Sequence, residues 1–131
     1  MNAVKPTMDD IDEAGLLSRL LRQHRSVEDQ LESVVASIAA GSKAVAAEQW
    51  QTCQRDLLLN LSFEENRLVP ILLRGSPRAA RTVAAEHKHL RARVVEIQSD
   101  FAADRAERAP IASFLAELRA HNSNEEKMMV R

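Results

Sequence analysis

Two short segments of this chain carry matching polar residues at the same internal spacing. Asn60 and Glu64 in the first segment correspond to His121 and Glu125 in the second, 61 residues further on. On an α-helix, side chains four residues apart project from one face, a turn apart. Imidazole and carboxylate groups presented together are common ligands of divalent and trivalent metals. The repeat therefore indicates a metal site to which two helices contribute.

A histidine precedes each of these segments. His24 and His87 are 63 residues apart, close to the spacing of the segments themselves, and each lies within an apolar stripe of helical period. A single histidine on such a stripe is more often a hydrogen-bonded core residue than a ligand, but the joint pattern favours a metal site. Of the four histidines, only His89 falls outside it. The predicted ligands are His24, Glu64, His87, His121 and Glu125.

The chemistry of burial supports the same interpretation. A carboxylate inside an apolar core costs several kcal/mol unless a cation or hydrogen-bond donors compensate it. Glu64 and Glu125 would also repel each other, and one bound cation resolves both problems. Cys53 is the only cysteine, so thiolate sites are excluded, and we expect it to be a small buried apolar residue. We predict Glu65 and Glu126 to be surface residues, or substitutes for a missing ligand.

The apolar periodicity predicts an all-α fold. Four amphipathic segments run from about Asp9 to Ala40, from about Lys43 to Leu73, from Ser76 onwards, and from near Ala109 onwards. Because the predicted connections are short, neighbouring helices should be antiparallel, which gives an up-down-up-down four-helix bundle.

Several residues mark the predicted helix ends. Thr7 with Asp10 resembles a capping box, and Ser42 and Ser76 are predicted caps. Gly41 is a natural stop for the first helix. We expect Pro70 to kink the second helix or loosen its last turn.

Chain length and net charge limit the number of domains and the classes of partner that we expect. The 131 residues fit one domain, 1–131, in which residues 1–8 are predicted to be a flexible extension. A net charge of −1 with no basic block excludes nucleic acid as an expected partner. No secretory signal or membrane span is apparent, so we expect a cytoplasmic protein with no membrane partner.

The motifs resemble those of the hemerythrin-like, HHE cation-binding domains. That family has a histidine on helix one, His-x-x-x-Glu on helix two, a histidine on helix three and His-x-x-x-Glu on helix four. The resemblance covers about residues 16–131, and the segment FEENRLVP (63–70) also looks like the family. The positions that match are His24, Asn60 with Glu64, His87, and His121 with Glu125.

The resemblance implies a non-haem di-iron centre bridged by two carboxylates, and a protein that binds or senses O₂, NO or iron. Oxygen carriers of the family have a further histidine at the position of Val83, so this chain looks more like the broader HHE group. Asn60 replaces an expected histidine, which implies a mono-iron site or unequal di-iron occupancy. Zinc and manganese are alternative metals, and a homodimer is left open.

Two functions from different classes are compatible with these residues. The first is the metal-dependent binder or sensor. The second is a metal-poor bundle that serves as an interaction or dimerisation module after partial loss of the site at Asn60. The sequence supplies no nucleophile constellation, so we do not predict an enzyme.

Overall fold

The computed structural model of the protein describes residues 13–129 as a bundle of four α-helices and, within that range, no strand. The helices are α1 (Glu13–Ala39), α2 (Lys43–Gly75), α3 (Pro77–Ala102) and α4 (Arg108–Met129). Helix α1 packs against α2 and α4, and α3 packs against the same two helices. The predicted all-α four-helix bundle is confirmed.

Most of the predicted helix ends agree with the structure. Gly41 has a left-handed φ of 78° and follows the end of α1, as expected of a helix stop. Ser76 caps α3, because its side chain accepts a hydrogen bond from the backbone N–H of Ala79 at 3.2 Å. The predicted capping box at Thr7 and Asp10, the start at Asp9 and the 1–8 extension lie outside the described residues.

One prediction about α2 is wrong. Ser42 makes no side-chain cap, because its backbone (φ −92°, ψ 68°) departs from the extended conformation of a typical cap. Pro70 lies inside the helix, which continues to Gly75, and the kink or looser last turn expected there stays a prediction. At the end of α2, the backbone N–H of Ser76 donates to the carbonyl of Leu72 at 2.6 Å.

The core consists of two apolar clusters on either side of a polar layer. We call the larger the Trp50 cluster, which also contains Leu31 and Phe114. The smaller, the Leu68 cluster, lies where α1 and α3 begin and α2 and α4 end. Fourteen stripe residues that we expect to face the interior are all buried, whereas others on the stripes, such as Leu21 and Phe101, are partly buried. The fourteen are Leu20, His24, Val27, Leu31, Leu57, Leu61, Glu64, Leu68, His87, Leu90, Val94, Leu118, His121 and Glu125.

None of the helices in the 13–129 range is both long enough and apolar enough to cross a membrane.

Two leucines of α2, two positions apart, lie on opposite faces of the helix and allow its buried face to be tested. Leu57 is 0% exposed and Leu59 is 63% exposed. Leu57→Ala should lower the free energy of unfolding by about 2–5 kcal/mol, because it opens a cavity in the Trp50 cluster. Leu59→Ala should change it by less than about 0.5 kcal/mol. Urea denaturation followed by circular dichroism measures both, and equal losses would contradict the assigned faces of α2.

Candidate metal centre

The polar layer of the core contains the five predicted ligands. They are contributed by all four helices and are between 0% and 4% exposed. Each lies at a point where its helix passes from one apolar cluster to the other: on α1, for example, His24 lies between Leu20 and Val27. The helical periodicity that buries the leucines therefore also buries the imidazoles and carboxylates.

Four of the five residues form a compact group. The Nε2 atom of His87 lies 2.9 Å from Oε1 of Glu64 and 3.1 Å from Oε2 of Glu125. The Nε2 atom of His121 lies 3.1 Å from the same oxygen of Glu125. One ligand atom from each of these four residues falls within 4.8 Å of the others, so two nitrogens and two oxygens could hold a metal ion.

His24 faces the opposite side of the same two carboxylates. Its Nε2 atom lies 2.8 Å from Oε2 of Glu64 and 3.2 Å from Oε1 of Glu125. Each glutamate therefore presents one oxygen to His24 and the other to His87. This is the arrangement that bridging carboxylates require, with three protein donors on the His24 side and four on the other side.

A second set of carboxylates holds the outer nitrogens of the three imidazoles. The Nδ1 atom of His24 donates to Glu126 at 2.8 Å, and that of His87 donates to Glu65 at 2.8 Å. The Nδ1 atom of His121 donates to Glu86 at 2.7 Å. Such partners fix the orientation and tautomer of an imidazole, so that Nε2 faces a metal.

Sequence reasoning missed this outer set. Glu65 and Glu126 are partly exposed, at 36% and 31%, but their carboxylates also bind imidazoles, a role that the sequence did not predict. Glu86 was not predicted to contact a ligand. The available signal was adjacency, because each of these glutamates directly precedes or follows a predicted ligand in the chain.

Arg91 extends one of these chains of hydrogen bonds to the surface. Its guanidinium binds both carboxylate oxygens of Glu65, one of them at 2.9 Å. The hydrogen bond from Arg91 is the largest cause that lowers the pKa of Glu65, and the bond from His87 acts in the same direction. Glu65 therefore stays ionised and holds a proton on the outer nitrogen of His87.

The central carboxylates strongly favour protonated imidazoles when no metal is bound. Burial by itself lowers the pKa of each histidine, but the close approach of the ionised Glu125 and Glu64 outweighs it. The pKa rises from 6.5 to about 10 for His24 and His121, and to about 9 for His87. Burial raises the pKa of Glu125, but the three histidines outweigh it and hold that pKa well below its usual range.

Protons do not satisfy every group in the layer. Nε2 of His121, Oε1 of Glu125 and Oδ1 of Asn60 are buried and make no well-directed hydrogen bond within the described residues. Buried polar atoms of this kind call for a partner. Imidazole nitrogens with carboxylate oxygens suit iron, manganese or zinc, so the donor set fits the metal that the motifs predict.

The repeat extends beyond the ligands and explains the position of Asn60. Asn60 corresponds to His121, and Gln23, 63 residues before Glu86, corresponds to that glutamate. The His121–Glu86 pair of one half is thus replaced by two amides in the other. Asn60 is 4% exposed and faces the interior as predicted. Both the expected ligand and its outer carboxylate are changed on the His24 side.

Two other residues agree with their predicted surroundings. His89 is 59% exposed and pairs with Glu117 at 2.7 Å, away from the polar layer. Cys53 is buried in the Trp50 cluster, and burial raises the pKa of its thiol to about 12. A thiol held in this form is a poor nucleophile and a poor ligand.

The fold and these residues define the class, a helical bundle with a group in its interior that could bind metal. The family model for the hemerythrin HHE cation binding domain matches residues 15–131, and the chain belongs to that family. No curated protein and no solved structure matches the chain.

The raised histidine pKa values predict how the stability of the metal-free protein depends on pH. Since the folded-state pKa values exceed the unfolded value of 6.5, this stabilisation is full below pH 6.5 and is lost as pH rises towards about 10. Urea denaturation with a chelator present should show a free energy of unfolding that falls over this window.

A surface variant provides the control for that measurement. His89→Ala should retain the decline, because His89 lies outside the polar layer. A free energy of unfolding that stays constant from pH 6.5 to about 10 would contradict the imidazole–carboxylate pairing.

Proposed function

We propose that this protein is a non-haem iron protein with two unequal metal positions, and that it binds or senses O₂, NO or iron. The observation that carries the proposal is the buried group of two imidazoles and two carboxylates in a cation-binding family. Because this group contains no thiolate, it favours iron over metals that prefer soft sulfur ligands. Zinc and manganese are the alternatives.

The stronger position would be held by His87, His121, Glu64 and Glu125. Their imidazoles are oriented by Glu65 and Glu86, which take the outer N–H of each ring and leave Nε2 directed inwards. The two carboxylates supply negative charge without a change of side-chain position. A metal at this position would replace the protons that the imidazoles otherwise carry next to these carboxylates.

The weaker position would lie beside His24. It shares both carboxylates but has a single imidazole, which Glu126 orients. Asn60 offers an amide oxygen, a weaker donor than imidazole for iron. Iron bound in this way would supply reversible coordination of a small diatomic molecule, and the open coordination position would lie on the His24 side.

The paired change of Asn60 and Gln23 also favours a second candidate. A chain that has changed both a ligand and its outer carboxylate fits a metal-poor bundle that acts as an interaction or dimerisation module. The metal content of the protein separates the two functions.

Metal stoichiometry is the direct test. Protein expressed with iron should contain about one metal per chain, or two with unequal occupancy, because one position has fewer donors. Asn60→His should raise the content, and Asn60→His with Gln23→Glu should raise it further, towards two. The double variant restores a ligand together with its outer carboxylate. Elemental analysis and the optical spectrum of each protein measure this outcome.

A matched loss-of-site variant completes the test. Glu125→Ala should abolish most binding, because it removes a carboxylate shared by both positions. Native protein with less than about 0.2 metal per chain, unchanged by Glu125→Ala, would favour the interaction module. Full, equal occupancy unaffected by the double variant would contradict the unequal positions.

The outer carboxylates should set the affinity for metal. Glu86→Gln should weaken binding at the His121 position by about 10- to 100-fold, because the imidazole loses its anionic partner. Glu117→Gln is the matched control, since Glu117 binds the exposed His89. Competition with a chromogenic chelator measures both affinities, and equal affinities would show that Glu86 has no role in binding.

A further inference from the structure

Two cavities flank the polar layer and are related by the internal repeat. One lies between α1 and α2 and has a volume of about 540 Å³. The other lies between α3 and α4 and has a volume of about 390 Å³. Every residue that lines the α3–α4 cavity is the repeat counterpart of a residue that lines the α1–α2 cavity. The two cavities are therefore equivalent places in the fold whose side chains differ.

The two cavities differ in charge. The α3–α4 cavity is lined by Glu86 and Glu117, whose carboxylates already pair with the imidazoles of His121 and His89. In the α1–α2 cavity, Gln23 replaces the counterpart of Glu86, and Arg22 occupies the position of a small alanine. Arg19 adds a second guanidinium to this lining. The α1–α2 cavity therefore suits an anion.

The acidic residue of the α1–α2 cavity does not reverse this charge. The carboxylate of Asp56 already accepts hydrogen bonds from Gln30 at 3.1 Å and from Arg55 at 3.2 Å. Arg22 donates one N–H to Ser18 at 2.9 Å, whereas a guanidinium carries five N–H donors. A carboxylate is the anion that this planar group binds best through paired hydrogen bonds.

The same cavity contains two amide oxygens that require donors. Oδ1 of Asn60 and Oε1 of Gln23 are both buried, and neither has a hydrogen-bond partner in the described chain. Asn60 as a whole is 4% exposed. Unpaired buried acceptors are costly, and a ligand hydroxyl or amine would satisfy them.

The α1–α2 cavity also has an apolar lining. Phe63 lies under the guanidinium of Arg19, 4.1 Å from the ring centroid, and Val27 and Leu59 complete the apolar lining. A volume of about 540 Å³ lies within the range of small-molecule pockets.

We propose that the α1–α2 cavity is a binding site for a small organic carboxylate that has an apolar body and a hydroxyl or amine donor. The carboxylate binds the guanidinium of Arg22, the body contacts Phe63 and Leu59, and the donor reaches the Asn60 and Gln23 amides. None of these contacts requires a metal, so the site goes beyond the proposed metal function. Asn60 is the one residue shared with the weaker metal position, so a metal held by its amide oxygen would compete with the ligand donor there.

Three probe molecules separate the contribution of the ligand's charge from that of its hydrogen-bond donor. 4-Hydroxybenzoate has the carboxylate, the ring and the donor; benzoate lacks the donor; 4-hydroxybenzamide lacks the charge. Isothermal titration of metal-free protein should show saturable binding of 4-hydroxybenzoate. Benzoate should bind about two- to tenfold more weakly and the benzamide about tenfold or more weakly. In NMR spectra, 4-hydroxybenzoate should shift the side-chain amide resonances of Gln23 and Asn60.

Matched variants locate the site. Arg22→Ala should weaken 4-hydroxybenzoate about tenfold, whereas Arg25→Ala should not, because Arg25 is exposed on the same helix but does not line this cavity. Leu59→Trp should block binding by filling the cavity. Circular dichroism melting curves confirm that each variant is folded.

Three results would overturn the proposal: no saturable binding of 4-hydroxybenzoate, equal affinity for the benzamide, or binding that persists in both Arg22→Ala and Leu59→Trp. Repeating the titration with iron-loaded protein separates this proposal from the metal function. If the protein takes up no iron, the titration of metal-free protein still decides whether the cavity binds a carboxylate. If the protein takes up iron but binds no 4-hydroxybenzoate, the carboxylate site is rejected and the metal function stands.

Discussion

Two carboxylates buried at the centre of a helical bundle are the constraint on which the rest of this structure depends. Glu64 and Glu125 are both 0% exposed, and each would cost several kcal/mol without positive charge nearby. Their mutual repulsion adds to that cost. Positive charge must therefore come from protonated imidazoles or from a metal, and three histidines surround the pair within about 3 to 4 Å. Each imidazole is then held from outside by a further glutamate, so negative and positive groups alternate from the bundle axis outwards.

The alternation makes one geometry compatible with two states of charge. Without metal, the imidazoles carry the positive charge, because the pKa values of His24 and His121 are raised to about 10. A metal held by the same imidazoles and carboxylates would replace the inner protons as the source of positive charge. The loss of up to three protons would largely offset the charge of one divalent or trivalent ion. The outer glutamates would orient the imidazoles in both states.

Helical periodicity predicted the bundle and the burial of the candidate ligands because burial on an α-helix repeats with a fixed spacing. Leu20, His24 and Val27 needed no knowledge of the other helices to be placed inside. The outer glutamates could not be placed in this way, because the Glu126–His24 contact depends on how closely α4 approaches α1. The Ser42 prediction failed for a related reason, since residue type does not determine the backbone angles of a turn. The correspondence of Gln23 with Glu86 could have been predicted from the sequence, because the same 63-residue spacing relates His24 to His87.

The polar layer also separates the apolar core into two parts. Within residues 13–129, imidazoles and carboxylates lie between the Trp50 cluster and the Leu68 cluster. The first turns of α1 and α3 and the last turns of α2 and α4 pack on the smaller cluster. We expect their amide hydrogens to exchange through local opening that does not unfold the Trp50 end. The imidazole–carboxylate contacts join the two ends, and the sole tryptophan reports on the Trp50 end.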